Sequence, residues 1–492
     1  MKNNKTLLSV IIVIYILTFL AGIQNLNIEY LWFDEAGQFF ISKGLNHDSN
    51  PLSSTNGLLS VIENNKYYNL DPGGFSILLH FWSYVSNYHI WLRLLPYLFF
   101  TGIVLCFIYL SYKWLANKIL ALLLGFIPFL TPVLLNVSFE VRAFSMEGLG
   151  TVISIVALES LKNKISYKNL FLWSCVFSFF MTSRYSEIIV IFVASVYTLY
   201  LILKSSSTFR DKLLSALIFS FPLLGTLIYI YFFSLIFQNK NIEPIFYLPY
   251  LSNNIHLLVT PKNLLFLGAI VLLFILYLLK NRFPIIKKYE ILLSITISVN
   301  LLFIVLSYWG KYPWDPYSDR CISLFILALL SFSLIVGELI KQLFVGYENL
   351  KYYLILPVLI LFLYLRKENL IQYDKSNFYN NFLKNNILSY NRIYVDRWES
   401  PSIRYLFEFG KLKANSNGYP DKFTFGKYLQ HTSIANNPKS IQDFYKTQPK
   451  MNNYLDYDIL ITPELVEQGE NDKWILIDGT KDFYIQKDNK NK

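Results

Sequence analysis

Charged residues are scarce in this chain of 492 residues. Only 16% of them are Asp, Glu, Lys or Arg, whereas 54% are hydrophobic and 18% are aromatic. A soluble domain of average composition carries about 25% charged residues. Apolar runs long enough to cross a bilayer recur through the first three quarters of the sequence, which indicates a polytopic membrane protein. No signal-peptide cleavage pattern follows the first run, so we expect that run to be a retained anchor.

Cysteine and histidine are also few, with three and five residues respectively. Cys106, Cys175 and Cys321 lie within or beside apolar runs and form no CxxC pair, so we expect them to pack as small hydrophobic side chains. The sequence has no Walker loop, no dinucleotide-binding fingerprint and no zinc-ligand spacing. These absences argue against a nucleotide-powered pump and against direct use of a nucleotide sugar, and we predict that no cofactor is required.

The formal net charge of +11 follows membrane topology and does not indicate a nucleic-acid partner. With eleven spans, every loop on the predicted cytoplasmic side is rich in lysine, as the positive-inside bias requires. A count of thirteen spans, with re-entrant pieces, stays open. The predicted spans are Thr6–Ile23, Leu94–Tyr112, Ile119–Leu135, Phe144–Leu161, Leu170–Thr182, Ile188–Leu203, Leu213–Phe237, Leu264–Leu279, Ile291–Tyr308, Ile322–Ile340 and Tyr352–Leu365.

Two regions outside these spans are long enough to carry structure of their own. Residues 24–93 form an outer loop, in which the short apolar run Gly74–Val85 is predicted to lie along the membrane interface. From Arg366 the composition becomes that of a soluble domain. We therefore predict a polytopic α-helical membrane domain over residues 1–365 and a small extracytoplasmic α/β domain over 366–492. The predicted elements of the second domain are a helix at Pro401–Phe409 and strands at Arg392–Asp396, Tyr457–Thr462, Trp474–Ile477 and Asp482–Gln486, the last at a sheet edge.

Four groups of polar residues fall on the predicted outer side. Ionised groups at a membrane interface are often functional because burying them is costly. Each group also fits a purely structural role: helix capping, an ordinary turn with a packed histidine, a snorkelling ion pair, or aromatic anchoring. The groups are Asp34-Glu35; Asp71-Pro-Gly-Gly74 with His80; Glu140-Val-Arg142-Ala-Phe144-Ser-Met-Glu147; and Lys311-Tyr-Pro-Trp-Asp-Pro-Tyr317-Ser-Asp319-Arg320.

The order of these groups carries a family resemblance. The Asp-Glu pair is followed by Asp71-Pro-Gly-Gly-Phe-Ser-Ile-Leu-Leu-His-Phe-Trp82, Arg93-Leu-Leu-Pro96 and Ser138-Phe-Glu-Val-Arg142-Ala-Phe144. This resembles the GT-C superfamily of membrane glycosyltransferases, in the branch that holds dolichyl-phosphate-mannose protein mannosyltransferases and lipid A aminoarabinose transferases. That branch has a Pro-Pro-Leu-Tyr-Tyr-type helix, an Arg-Leu-Pro and a Glu-Ala-Arg-Xaa-Tyr. Here Gly73 replaces the second proline, which we expect to loosen the turn, and Phe144 replaces the tyrosine.

The resemblance implies transfer of a sugar from a polyprenyl phosphate to a hydroxyl group of a glycan, lipid or protein. Such a hydroxyl needs a base, and the resemblance assigns Asp34 to that role, with Glu35 orienting it. A divalent metal ion at Asp34 and Glu35 is compatible with these roles but not required. The residues expected to bind the leaving phosphate are Arg142 and Arg320, with Lys311 and Arg184 behind them. Those expected to bind the acceptor or shape the site are Asp71, His80, Glu140, Tyr317 and Asp319.

The high content of Asn, Lys, Ile and Tyr indicates an AT-rich bacterial genome, which favours undecaprenyl phosphate as the carrier. We therefore expect a protein of the bacterial cytoplasmic (inner) membrane, with its site and C-terminal domain facing outward. A secondary transporter or lipid flippase that uses the acidic pair as a coupling-ion site is the alternative. Transporters more often carry such charges near the membrane midplane. A non-catalytic relative also stays open, because of Gly73 and Phe144.

Overall fold

The structure is a computed structural model that describes residues 2–45, 57–69, 71–238, 251–252, 258–343, 392–396, 399–410, 423–425, 458–461, 474–476 and 483–486. The helices α1 to α18 are, in chain order, Lys2–Ile23, Phe33–Ser42, Leu58–Tyr68, Gly74–Trp82, His89–Leu115, Lys118–Leu124, Ile127–Leu130, Pro132–Val137, Phe144–Asn163, Tyr167–Met181, Tyr185–Lys204, Phe209–Ile230, Ile236–Gln238, Pro261–Leu278, Pro284–Lys287, Glu290–Tyr308, Ile322–Leu343 and Ser400–Glu408. The strands β1 to β5 are Ile393–Val395, Phe423–Phe425, Ile459–Ile461, Trp474–Leu476 and Phe483–Gln486.

Among the described residues, eight helical segments are long and apolar enough to cross a membrane. Each overlaps a span that the sequence predicts, so the chain is a polytopic helical protein of the kind that membranes hold. These segments are Leu7–Asn27, His89–Leu115, Phe144–Asn163, Tyr185–Lys204, Phe209–Gln238, Pro261–Asn281, Glu290–Tyr308 and Asp319–Leu343.

Three predicted spans are not among these segments. The predicted span Ile119–Leu135 is divided into α6, α7 and α8, because Pro128 and Pro132 cannot donate the backbone hydrogen bond that a continuous helix needs. The helix at the predicted span Leu170–Thr182 has 15 residues and measures about 22 Å, less than the bilayer core of about 30 Å. The predicted span Tyr352–Leu365 and the predicted domain boundary at residue 366 lie outside the described residues.

The chain divides into two compact units. One, here named the helical unit, consists of Met1–Ile23, Pro96–Tyr231 and Tyr247–Ile371. The other, here named the loop unit, consists of Gln24–Leu95, Phe232–Phe246 and Gln372–Lys492. The loop unit therefore brings together the predicted outer loop and the C-terminal region, which the sequence alone treats as separate segments.

Contacts at one end of the helical unit join loops that the sequence assigns to the cytoplasmic side. Lys288 Nζ donates to the Trp114 carbonyl at 3.2 Å and also pairs with Glu338. Lys341 Nζ donates to the Leu115 carbonyl at 2.9 Å. Both cations thus lie at the carboxyl end of α5, where the helix dipole favours positive charge. The lysine-rich character of these loops accordingly has a local structural use in addition to its effect on topology.

The described strands of the loop unit form one five-stranded sheet in the order β2-β1-β3-β5-β4. Strand β1 pairs in parallel with β2 and β3, and α18 lies between β1 and β2 in the chain, as a parallel crossover requires. Strand β5 pairs antiparallel with both β3 and β4. The prediction of an edge strand at Asp482–Gln486 is therefore wrong, since β5 lies inside the sheet. The three-residue strand β2 was not predicted.

Candidate functional site

The acidic pair lies in the first turn of α2, where the helix dipole stabilises negative charge. Successive residues of a helix point about 100° apart, so the two carboxylates have different surroundings. Glu35 is 1% exposed, whereas Asp34 is half-buried. Of the two, only Asp34 is therefore accessible enough to receive a proton from a substrate.

Glu35 forms a buried ion pair with Arg93. Arg93 Nη1 lies 2.6 Å from Glu35 Oε1, and Arg93 Nη2 lies 3.0 Å from Glu35 Oε2. The same guanidinium donates to the carbonyls of Ile28 and Tyr30, each at 2.8 Å. Glu35 also accepts the Trp32 amide at 3.2 Å. This bidentate geometry fixes the chain before α2 against the start of α5, so Glu35 holds the backbone that presents Asp34.

Helix α18 packs on α2 within the loop unit. The Phe39 ring lies 5.3 Å from the Tyr405 ring and 5.0 Å from the Phe409 ring, in edge-to-face geometry. Tyr30 Oη donates to Glu399 Oε2 at 2.6 Å. Burial raises the pKa of Tyr405, which keeps its hydroxyl protonated and able to donate to the Asn87 carbonyl at 3.0 Å. The C-terminal region thus packs against the helix that carries the acidic pair and against the chain just before it.

The turn at Asp71 is held by a buried network of amide and hydroxyl groups. Asn65 Nδ2 and Gln238 Nε2 both donate to the Asp71 carbonyl at 3.0 Å. Ser234 Oγ donates to the Pro72 carbonyl at 2.9 Å. Ser234 lies in a π-helical turn, Tyr231–Leu235, a feature that often marks functional positions. The Asp71 side chain is itself 5% exposed, so it shapes this region from within.

Gly73 makes this turn tight, contrary to the expectation that its replacement of proline loosens it. Its φ is +98°, a left-handed value that proline cannot adopt and that other L-residues rarely adopt. A Cβ atom at Gly73 would lie 2.6 Å from Asn65 Nδ2. Glycine is therefore required both by the backbone angle and by the close approach of Asn65.

We predict that Gly73→Ala lowers the free energy of unfolding by about 1–3 kcal/mol, because the new Cβ meets Asn65 and the backbone is strained. Gly37→Ala is the matched control, since nothing lies within 4 Å of its Cβ position and Gly37 is inside α2. That control should be neutral or stabilising by up to about 1 kcal/mol. Thermal unfolding of the two purified variants in detergent measures both effects, and equal melting temperatures would contradict the assignment.

His80 is packed in α4 with both ring nitrogens engaged. Nδ1 lies 2.7 Å from the Ser42 carbonyl, which can only accept, so Nδ1 carries the proton. Nε2 then accepts from Tyr84 Oη at 2.8 Å. The histidine is 5% exposed. These contacts assign it to shaping the loop unit. Nearby, partial burial lowers the pKa of Lys43, whose Nζ lies 3.3 Å from Ser83 Oγ.

In the helical unit, two of the predicted phosphate-binding arginines lie over one aromatic ring. The guanidinium carbon of Arg184 is 4.3 Å from the centroid of the Phe144 ring, and that of Arg142 is 5.4 Å from it. Phe144 is 3% exposed and begins α9. Phe144 lacks the hydroxyl of the tyrosine that stands here in the family that the sequence resembles. In the structure the aromatic ring itself contacts both guanidinium groups, and this contact does not need a hydroxyl.

Two polar contacts also fix the guanidinium group of Arg184. Its Nε lies 3.6 Å from Glu147 Oε2, and its Nη1 donates to the Asp319 carbonyl at 3.1 Å. Glu147 is fully buried and accepts from the Ser323 hydroxyl. The carboxylate therefore offsets the charge of Arg184 and fixes its position among three helices.

Arg320 directly follows Asp319, the residue whose carbonyl Arg184 binds. Its side chain is half-buried and makes no hydrogen bond or ion pair within the described part of the chain. Its carbonyl accepts from Tyr312 Oη at 3.2 Å, and burial raises the pKa of Tyr312 so that this hydroxyl stays protonated. The guanidinium group of Arg320 is thus available to an anionic ligand.

The other predicted residues have more peripheral places. Lys311 is exposed, and Glu140 is half-buried two residues before Arg142, whose amide donates to the Glu140 carbonyl at 2.6 Å. Tyr317 Oη donates to the Lys262 carbonyl at 3.0 Å. Tyr317 lines an open groove of about 560 Å³ together with Thr260, Pro261, Lys262, Asn263, Trp314, Asp315 and Ser318.

Two residues of these clusters, Arg93 and Gln238, had no role predicted from the sequence. Arg93 begins the Arg-Leu-Leu-Pro run, but nothing in the sequence identifies its partner 58 residues away. Glu147 was predicted only as one of the two glutamates that flank Arg142, whereas in the structure it lies beside Arg184. Gln238 carries no signal in the sequence, because it ends an apolar span.

Metal binding has no additional support here. Within the ranges that the structure describes, no group of three or more His, Cys, Asp or Glu side chains is arranged to hold a metal ion. A cation at the acidic pair would also compete with Arg93 for Glu35. Taken separately, a half-buried carboxylate such as Asp34 can accept a proton, and guanidinium groups such as that of Arg320 can bind an anion.

Comparison with models of known protein families gives no match for this chain, and comparison with curated proteins gives none either. Functional conclusions therefore depend on the chemistry of the chain's own residues.

Proposed function

We propose that this chain is a membrane glycosyltransferase of the GT-C type, which moves a sugar from a polyprenyl phosphate to an extracytoplasmic hydroxyl group. The observation that carries this proposal is the arginine group of the helical unit, where Arg142 and Arg184 share the Phe144 ring and Arg320 lies beside the Arg184 contact. A concentration of guanidinium groups near a membrane surface is suited to a lipid-linked phosphate.

The reaction follows from these roles. The acceptor oxygen forms a bond to the anomeric carbon and gives its proton to Asp34. The bond from that carbon to the phosphate oxygen breaks, and its electron pair stays with the phosphate. Because the leaving group is a weak base, it needs cations and no general acid. Arg142 and Arg320 stabilise it, with Arg184 and Lys311 as supporting cations, while Glu35 and Arg93 hold the turn that carries Asp34.

The proposed topology has eleven to thirteen spans, with the site and the C-terminal α/β domain on the outer face of a bacterial cytoplasmic membrane. Contacts within the loop unit support it. Tyr30 binds Glu399, and Gln238 binds the Asp71 carbonyl, which supports an arrangement with the two members of each pair on the same side of the membrane. The predicted spans assign all four to the outer side.

The proposal is tested by mass spectrometry of envelope lipids, glycans and glycoproteins from cells with and without the protein. We expect at least one species to be heavier by a sugar residue only when the wild-type protein is present. Arg320→Glu should abolish that species, because it replaces a phosphate-binding cation by an anion. Arg282→Glu is the matched control, since it reverses the charge of an exposed arginine outside the candidate groups and should leave the species unchanged.

Two outcomes would contradict the proposal. If no sugar-bearing species depends on the protein, the transferase assignment is wrong. If Arg320→Glu restores the species as well as wild type does, the phosphate assignment of Arg320 is wrong.

A further inference from the structure

Phe144 joins a buried guanidinium group to a more accessible one. Arg184 is 8% exposed and is fixed by Glu147 and by the Asp319 carbonyl. Arg142 is half-buried. The two guanidinium carbons lie 5.4 Å and 4.3 Å from the same ring centroid, so the Phe144 ring is a contact that the fixed group and the more accessible group share.

Two like charges that contact one ring repel each other unless something offsets the repulsion. The face of an aromatic ring carries partial negative charge, which attracts each cation. Glu147, which is fully buried, supplies a formal negative charge beside Arg184. The structure thus places two guanidinium groups against one aromatic ring, with a carboxylate beside one of them. This is the arrangement that a doubly charged ligand can use, because neither cation has to be brought in from solvent.

We propose that Phe144 is a positioning residue that holds Arg142 and Arg184 as a two-cation site selective for a lipid phosphate monoester over a phosphate diester. This inference rests on the proposed function. A polyprenyl-phosphate sugar is a diester with one negative charge, and the departing polyprenyl phosphate is a monoester with nearly two at pH 7. Cations matched to the second charge stabilise the leaving group more than the donor, and only such differential binding accelerates the reaction.

The ring, and no other property of residue 144, is what this role needs. Phe144→Leu removes the cation–π contacts and keeps an apolar side chain of similar size. Phe144→Tyr keeps the aromatic face. If Phe144 only packs α9, Phe144→Leu should change the binding of the monoester and of the diester alike. If Phe144 positions the arginines, Phe144→Leu should weaken binding of the monoester and leave binding of the diester little changed.

The test measures binding of undecaprenyl phosphate and of its methyl ester to the purified full-length protein in lipid nanodiscs at pH 8. We expect wild type to bind the monoester about tenfold more tightly than the methyl ester. In Phe144→Leu this ratio should fall to about twofold or less, while binding of the methyl ester changes little, which also shows that the variant is folded. Phe144→Tyr should keep the wild-type ratio.

A second measurement does not depend on any variant. The monoester loses its second charge as the pH falls below about 6, so the wild-type ratio should decline towards one between pH 8 and pH 5. A ratio that does not change with pH would overturn the inference, as would a leucine variant that keeps the ratio or a tyrosine variant that loses it. If wild type binds neither phosphate more tightly than undecaprenol, the proposed function fails along with this inference.

Discussion

Asp34→Asn is expected to lower turnover by about 10²–10⁴-fold, the scale for removal of a positioned general base. Asparagine keeps the size and much of the hydrogen bonding of aspartate but cannot accept a proton. The half-buried position of Asp34 at the start of α2 is compatible with that role. The readout is the amount of sugar-bearing envelope product per unit of protein, measured by mass spectrometry.

Binding and stability separate this prediction from a structural role. Undecaprenyl phosphate should bind Asp34→Asn as it binds wild type, because the proposed function assigns phosphate binding to the arginines. Loss of a charge in the first turn of a helix should cost only about 0.3–1 kcal/mol. Glu63→Gln is the control, since Glu63 is an exposed carboxylate of the same unit that pairs with Lys66 in the next turn. Normal turnover in Asp34→Asn would remove Asp34 as the base, and lost binding would assign it to the donor site.

Arg93→Met should lower the free energy of unfolding by about 3–5 kcal/mol, because it leaves the Glu35 carboxylate buried without its cation. Glu35 and Arg93 have side-chain exposures of 2% and 3%, so water cannot replace the lost partner. Hydrogen exchange of residues 28–42, followed by mass spectrometry, should show the loss at the segment whose carbonyls Arg93 binds. Thermal unfolding in detergent gives the overall change.

The double variant Glu35→Gln with Arg93→Met should recover most of that stability, since it removes both buried charges together. Lys66→Met is the matched control for loss of a cation, because its partner Glu63 is 52% exposed and such pairs contribute about 0–1 kcal/mol. A loss in Arg93→Met no larger than that in Lys66→Met would show that the pair does not hold this segment. A double variant as unstable as Arg93→Met would show that the loss comes from packing instead of charge.

The sequence predicts the parts of this fold that depend on local pattern. Long apolar runs give the eight long helices, and alternating residues give four of the five described strands at the predicted places. The break of the predicted span Ile119–Leu135 can also be predicted from the sequence, because Pro128 and Pro132 interrupt it. The central position of β5 cannot be predicted in this way, since strand order depends on pairing between segments distant in the chain.

The candidate site shows the same difference between features that depend on local sequence and features that depend on contacts between distant segments. Asp34 and Glu35 are adjacent carboxylates that look equivalent in sequence, yet one is half-buried and the other is paired with Arg93. Helix geometry implies that they point in different directions, but only the fold shows which direction meets the arginine. Phe144 likewise looked like the loss of a hydroxyl, and its use as a surface for two guanidinium groups depends on the position of Arg184, 40 residues later.

The contact between Tyr30 and Glu399 has a consequence for biosynthesis. The two residues are 369 positions apart, whereas Glu35 and Arg93 are separated by 58. At about 5–20 residues per second, ribosomes need roughly 20–75 s to make the chain between Tyr30 and Glu399. Throughout that interval α2 lacks α18, and the Phe39 ring has no Tyr405 or Phe409 to pack against. A nascent chain that stalls in this window presents an uncovered aromatic surface to quality-control proteases, so this unit is protected only once residues 400–409 have been made.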